Sequence, residues 1–125
     1  SSFPGVTREF CVADGNGVVL NINGVDHRCE PGSVTTFRGD DVVFATLIDG
    51  PMRALNLMVR DGAKHRSLQL NSTDAVVTDL SVAIAISTSS ILVFDGDETE
   101  LQILDALLVN EQKTIRVLQG VVVTF

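Results

Sequence analysis

Apolar and polar residues alternate along this chain in short runs, and clusters of Gly, Pro, Asn and Asp interrupt the runs at close intervals. A period of two marks strands with one buried face. Thr7 to Ala13 (TREFCVA) predicts such a strand, with Arg8 and Phe10 on one face and Glu9 and Cys11 on the other. Asp14-Gly15-Asn16-Gly17 then predicts a hairpin, since Gly and Asn accept the positive φ of tight turns. Val18 to Ile22 is the return strand, closed by Asn23-Gly24. From Gly24 to Phe44 the pattern reads strand, turn, strand, turn, strand. Glu30-Pro31-Gly32-Ser33 and Arg38-Gly39-Asp40-Asp41 supply the turns, and β-branched or aromatic residues supply the strands. After Asp49-Gly50-Pro51, Arg53 to Arg60 alternates again. Leu55, Leu57 and Val59 share one face, and Asn56, Met58 and Arg60 share the other.

The second half has fewer glycines and the same style. Ser67 to Leu70, Val76-Val77, Ser81 to Ser87, Ile91 to Phe94, Glu100 to Ile103, Ala106 to Val109, Thr114 to Leu118 and Val121 to Phe125 predict strands. Asn71 to Asp74, Asp95-Gly96-Asp97, Asn110-Glu111 and Gln119-Gly120 predict the joints. A partial 3.6-residue period allows a helix over Leu101 to Leu108, but an internal repeat favours strands there. At an offset of 72 residues Gly24 falls on Gly96, and Val34 to Phe37 falls on Ala106 to Val109. The expected fold is all-β, a barrel or sandwich of two related units, 1–70 and 71–125.

A chain of 125 residues with 45% hydrophobic and 20% charged residues is long enough to bury a core. A net charge of -7 argues against a nucleic-acid backbone or an anionic membrane surface as partner. No apolar run is long enough for a membrane-spanning helix. Cys11 and Cys29, each in an apolar-flanked strand, are expected as free thiols in a reducing compartment. The sequence opens Ser-Ser-Phe-Pro-Gly without an initiator Met, as expected of a piece of something longer.

Chemistry is sparse. His27 and His65 are the only histidines and lie in separate segments, so no metal site is expected. Asp95, Asp97, Glu98 and Glu100 read as a solvated hairpin tip rather than a calcium loop. Asn71-Ser72-Thr73 matches a glycosylation acceptor, which matters only in a secreted protein. His27 and Cys29 share a strand face but lack an orienting third group, and no nucleophile motif or phosphate loop occurs. The face of Asn56, Met58 and Arg60 has two readings: the wall of a polar barrel interior, a typical small-ligand site, or solvent. The matching strand of the second unit, VVVTF, has no charge or amide, so a pocket belongs to the first unit.

Phe3-Pro4-Gly5 with Arg8 behind it, Glu30-Pro31-Gly32, Phe37-Arg38-Gly39-Asp40 and Gly50 to Arg60 (GPMRALNLMVR) resemble the HutD/Ves family. Beyond residue 71 the likeness is of strand pattern alone. The resemblance implies a cupin-like β-barrel or jelly-roll with a degenerate second cupin, a bicupin, in a cytoplasmic bacterial protein linked to histidine utilisation. It implies binding of a small carboxylate metabolite, such as formylglutamate or urocanate, without metal or cofactor. Carried over by position, the ligand-binding residues are Arg8, Phe37, Asp40, Asn56, Met58 and Arg60, and no catalytic residue is assigned. An arginine suits a carboxylate because its planar fork pairs with both oxygens. The family's opening Trp and Asn-Gly-Gly run have no counterpart here. Two alternatives stay open: a metal-independent isomerase or lyase using Arg60 or His27 with a carboxylate, and an interaction module or homo-oligomer built through strand edges.

Overall fold

The computed structural model describes residues 2–63, 66–109 and 113–125. Every regular element among them is a strand, and no helix is long and apolar enough to cross a membrane. The chain divides into two compact units, Ser1–Ser67 and Leu68–Phe125.

In the first unit β1 (Val6–Gly15) lies between β4 (Val34–Arg38) and β6 (Met52–Arg60), and β2 (Val18–Ile22) lies between β3 (Val25–Cys29) and β5 (Val43–Leu47). All these pairings are antiparallel. The two three-stranded sheets share one core: Phe10, Val12 and Phe37 from the first meet Val18, Leu20, Ile22 and Cys29 from the second. The alternation predicted for β1 and β2 is what places these residues on facing surfaces. Burial of seven such side chains is the main stabilising term of the unit.

Asn23 and Gly24 have φ of 51° and 90°, and Ile22 pairs with Val25 across them. Positive φ at both central residues of a two-residue loop is the type I′ geometry that matches strand twist. The hairpin expected at Asp14 to Gly17 does not form. β1 pairs with β4 and β6, whereas β2 pairs with β3 and β5, so this loop carries the chain from one sheet to the other. Its glycines serve close approach instead. A Cβ on Gly15 would meet the Pro51 and Met52 backbone, and one on Gly17 would collide with the Cys29 carbonyl.

The second unit is built on two long strands, β9 (Val82–Phe94) and β12 (Ile115–Thr124). β10 (Asp97–Leu101) and β11 (Ala106–Leu108) pair with β9, and β7 (Gln69–Asn71) and β8 (Val76–Val77) pair with β12. Leu80, Ala83, Ala85, Leu92, Leu101, Val109, Ile115, Val117 and Val122 form its core. Four expected strands merge here. Ser81 to Ser87 continues into Ile91 to Phe94, and Thr114 to Leu118 continues into Val121 to Phe125. The register shifts beside Gln119, Gly120 at φ 97° and Ser87 at φ 67° bend the strands without ending them. The first strand of this unit is Gln69–Asn71 instead of Ser67 to Leu70, and β10 starts earlier than Glu100 because Asp95-Gly96 is another tight two-residue turn. Leu104, at φ 70°, breaks the helix that composition allowed. The turn at Asn110-Glu111 and His65 lie outside the described residues.

Asn71 donates its side-chain amide to the Gln69 carbonyl and to Thr124 Oγ1, so the nitrogen of the glycosylation-like triplet is already engaged. Among the described residues no group of three or more His, Cys, Asp or Glu is placed to hold a metal ion.

Gly120→Ala should lower stability by about 1–3 kcal/mol, through strain at positive φ and collision with Ser90. Urea denaturation measures it, and an unchanged midpoint would contradict the bulge account.

Candidate functional site

The inner face of β1 runs Arg8, Phe10, Val12, and the cover of the opposite sheet decides the fate of each. Phe10 and Val12 are buried in the shared core, whereas Arg8 sits where the cover thins and is part-buried. Here an open cavity of about 540 Å³ enters the first unit. Arg8, Phe10 and Phe37 form one wall, and Leu20, Val43 and Ala45 form the other. Ser2, Asp40, Asp41, Val42 and Phe44 complete its lining.

Flanking strands orient Arg8. It lies opposite Phe37 on β4 and Met58 on β6. Its guanidinium carbon is over the Phe37 ring at 4.9 Å and over the Phe3 ring at 5.7 Å, within cation–π range. Nη2 donates to Asn56 Oδ1 at 3.1 Å. The Nε–H is buried, and no group among the described residues accepts from it. A buried donor without an acceptor costs about 1–3 kcal/mol, so this is where a ligand oxygen would contribute most.

The six sequence-derived positions therefore separate. Arg8, Phe37 and Asp40 line the cavity, and Asn56 joins them through its bond to Arg8. Met58 lies on the inner face beside Arg8 but is 43% exposed and outside the lining. Arg60 pairs with Val6 at the far end of β6, exposed and away from the cavity. His27 is exposed on β3, while the neighbouring Cys29 is buried with Sγ 3.2 Å from Thr35 Oγ1. Burial pushes the Cys11 thiol pKa up, which keeps it protonated and unreactive.

Sequence reasoning missed the clasp that holds the rim. Asn23 donates from Nδ2 to Asp41 Oδ1 at 2.9 Å, its Oδ1 accepts from Val42 N–H at 2.9 Å, and Arg38 N–H donates to Asp41 Oδ2 at 2.8 Å. Arg38 also pairs bidentately with Asp61, at 2.9 and 2.7 Å, and donates to Thr7. The only signal was two turns rich in Asn, Gly and Asp, each of which reads locally as a turn and nothing more. The Asn23 amide and the Arg38 N–H hold the Asp41 carboxyl below its ordinary pKa, and Arg38 does the same for Asp61.

The HutD family model matches residues 1–123. The chain belongs to the HutD family. HutD from Pseudomonas fluorescens superposes with a TM-score of 0.76 at 25% identity, over 99% of this chain and 69% of that one. A conserved Pseudomonas aeruginosa protein of unknown function gives 0.75 at 22% identity, over 99% and 72%. Salicylate 1,2-dioxygenase from Pseudoaminobacter salicylatoxidans (an A85H mutant) gives 0.58 at 9% identity, over 99% and 66%, a likeness of fold alone. Protein Ves from Citrobacter koseri is 42% identical over 62 residues, 48% of this chain and 32% of the relative. The chain thus spans about a third of that curated relative's length. The fold of this HutD-family chain is all-β and cupin-like.

Because the folded pKa values of Asp41 and Asp61 are lowered, their stabilisation is present at neutral pH and is lost as pH falls below the ordinary carboxylate value of 3.8. The melting temperature should fall modestly from about pH 4 downward. Asp41→Asn should shallow that drop, and an identical acid profile in the variant would remove Asp41 from the account.

Proposed function

We propose that the first unit binds a small carboxylate metabolite in the cavity beside Arg8, and that this binding serves regulation of histidine utilisation in the bacterial cytoplasm. The observation that carries the reading is Arg8 in the wall of an open cavity, with a buried Nε–H that no group among the described residues accepts. A carboxylate oxygen on Nε, with its partner oxygen on a neighbouring guanidinium N–H, satisfies the donor in a charge-assisted pair. Phe10, Leu20, Phe37 and Val43 offer apolar surface to the ligand's body, and Asp40 at the mouth offers an acceptor to any N–H it carries. Asn56 fixes the guanidinium plane through Nη2. Formylglutamate and urocanate both have the required carboxylate, and the family's association with histidine utilisation supports trying them first.

No metal or cofactor is needed for this role. Arg60 and His27, on which an isomerase or lyase would depend, are exposed and outside the lining, so binding without turnover is the better supported reading. The second unit bears on the family reading by its own topology. Its pairings β9–β10, β9–β11 and β9–β12 follow the order of β2–β3, β1–β4 and β2–β5 with β1–β6, as a duplicated cupin with an apolar core would.

One observation favours an additional reading. β5 is an edge strand without charge, and Phe44 and the adjoining Val42, on one face, are exposed by 68% and 59%. Unprotected apolar edges pair with other chains, so a homo-oligomer through β5 fits this strip. Light scattering should then give a multiple of the chain mass, reduced to one chain by Phe44→Lys. A monomer at all concentrations would dismiss it.

For the carboxylate role, thermal unfolding over a concentration series of urocanate, formylglutamate, glutamate and histidine should raise the midpoint with one of them, by mass action. Arg8→Gln should abolish the shift, whereas Arg60→Gln should leave it. No shift with any of them would defeat the proposal.

A further inference from the structure

The segment ahead of β1 does more than lead into the fold. Phe3 N–H donates to the Gly39 carbonyl at 2.7 Å, and Gly39 N–H donates to the Val6 carbonyl at 2.9 Å. A Cβ on Gly39 would strike the Phe3 carbonyl and the Val6 side chain, so only glycine lets the segment seat here. Seated, it brings the Phe3 ring to the Arg8 guanidinium and Ser2 to the cavity lining, although Phe3 itself is 40% exposed. A Phe that merely filled the core would be covered. This one keeps its ring for a cation whose Nε–H has no acceptor among the described residues.

We infer that Phe3, seated by Gly39, is a positioning residue for the ligand site: with Phe37 it holds the Arg8 guanidinium in the orientation that presents its Nε–H to a ligand oxygen. The inference rests on the carboxylate reading above for its consequence, though not for its geometry. An arginine side chain has considerable rotamer freedom, and fixing it in advance removes an ordering cost that binding would otherwise bear. The rings attract the cation through the negative potential of their faces, which a leucine of similar bulk lacks.

The test reads Arg8 directly. In nitrogen-15 NMR of the full chain, the Arg8 Nε–H resonance, assigned with Arg8→Lys, should show a ring-current shift and slow exchange. Phe3→Leu should remove the Phe3 share of that shift and speed exchange, Phe3→Tyr should preserve both, and Gly39→Ala should act like Phe3→Leu with the ring still in the sequence. Titration with acetate should move the Nε–H resonance in the native protein, with affinity weakened about three- to tenfold in Phe3→Leu and restored in Phe3→Tyr. If acetate leaves the native resonance unmoved while Phe3→Leu shifts it, the positioning geometry stands and the carboxylate reading fails. If Phe3→Leu, folded by its amide spectrum, leaves the Nε–H unmoved, or moves it without weakening acetate that the native protein binds, the inference is overturned.

Discussion

A cation has to live at the end of an apolar strand face, and the first unit is arranged around that constraint. β1 is the middle strand of its sheet, so its inward residues are bounded on both sides by β4 and β6. Phe10 and Val12 are roofed by β2 and its neighbours, but Arg8 cannot be, because full burial of an unpaired guanidinium costs more than the packing returns. The sheets therefore leave a mouth beside it. Phe37, Phe3 and Asn56 occupy the faces and one nitrogen of the group, which lines the cavity, and the Nε–H has no acceptor among the described residues.

The rim of that mouth is tied down by short-range polar contacts instead of packing. The turn that follows β4 is fastened to the β2–β3 hairpin through Asn23 and Asp41, and Arg38 reaches to Thr7 and Asp61 at the ends of the neighbouring strands. Exposed polar contacts and ion pairs of this sort contribute little to overall stability. Their value is geometric, since they set where Asp40, Val42 and Phe44 stand relative to Arg8. A rim held by carboxylates can loosen without the core unfolding, and such local, low-stability elements are where binding sites are commonly built.

Strand pattern carried most of the fold. Alternation in TREFCVA and RALNLMVR separates the two faces of each strand, though not which face of the second turns inward, and Asn23-Gly24 and Asp95-Gly96 identify two tight turns, because both signals are local and depend on single-residue geometry. What local signals cannot report is which strand pairs with which. Asp14 to Gly17 has the composition of a hairpin yet crosses between sheets, and Gln119-Gly120 has the composition of a turn yet bends one continuous strand. In both cases glycine is required by close approach to distant backbone, a tertiary demand. The site divides in the same way. Of the positions the resemblance suggested, Arg8, Phe37 and Asp40 line the cavity and Arg60 lies outside its lining, because face periodicity says which way a side chain points but not how far the opposite sheet extends. The roles of Phe3 and Asn23 are not legible locally, since Phe3 is seated by Gly39 and Asn23 acts through Asp41, each partner more than fifteen residues away.

The central claim, that the first unit's cavity receives a carboxylate on Arg8, is tested most directly by a crystal structure grown with 4-bromobenzoate. Its bromine is located by anomalous scattering and its carboxylate by difference density. The account predicts bromine among Phe10, Leu20 and Val43, with a carboxylate oxygen within hydrogen-bond distance of Arg8 Nε. Saturating ligand that leaves the cavity free of bromine, or that places its carboxylate on Arg60 instead, would contradict it.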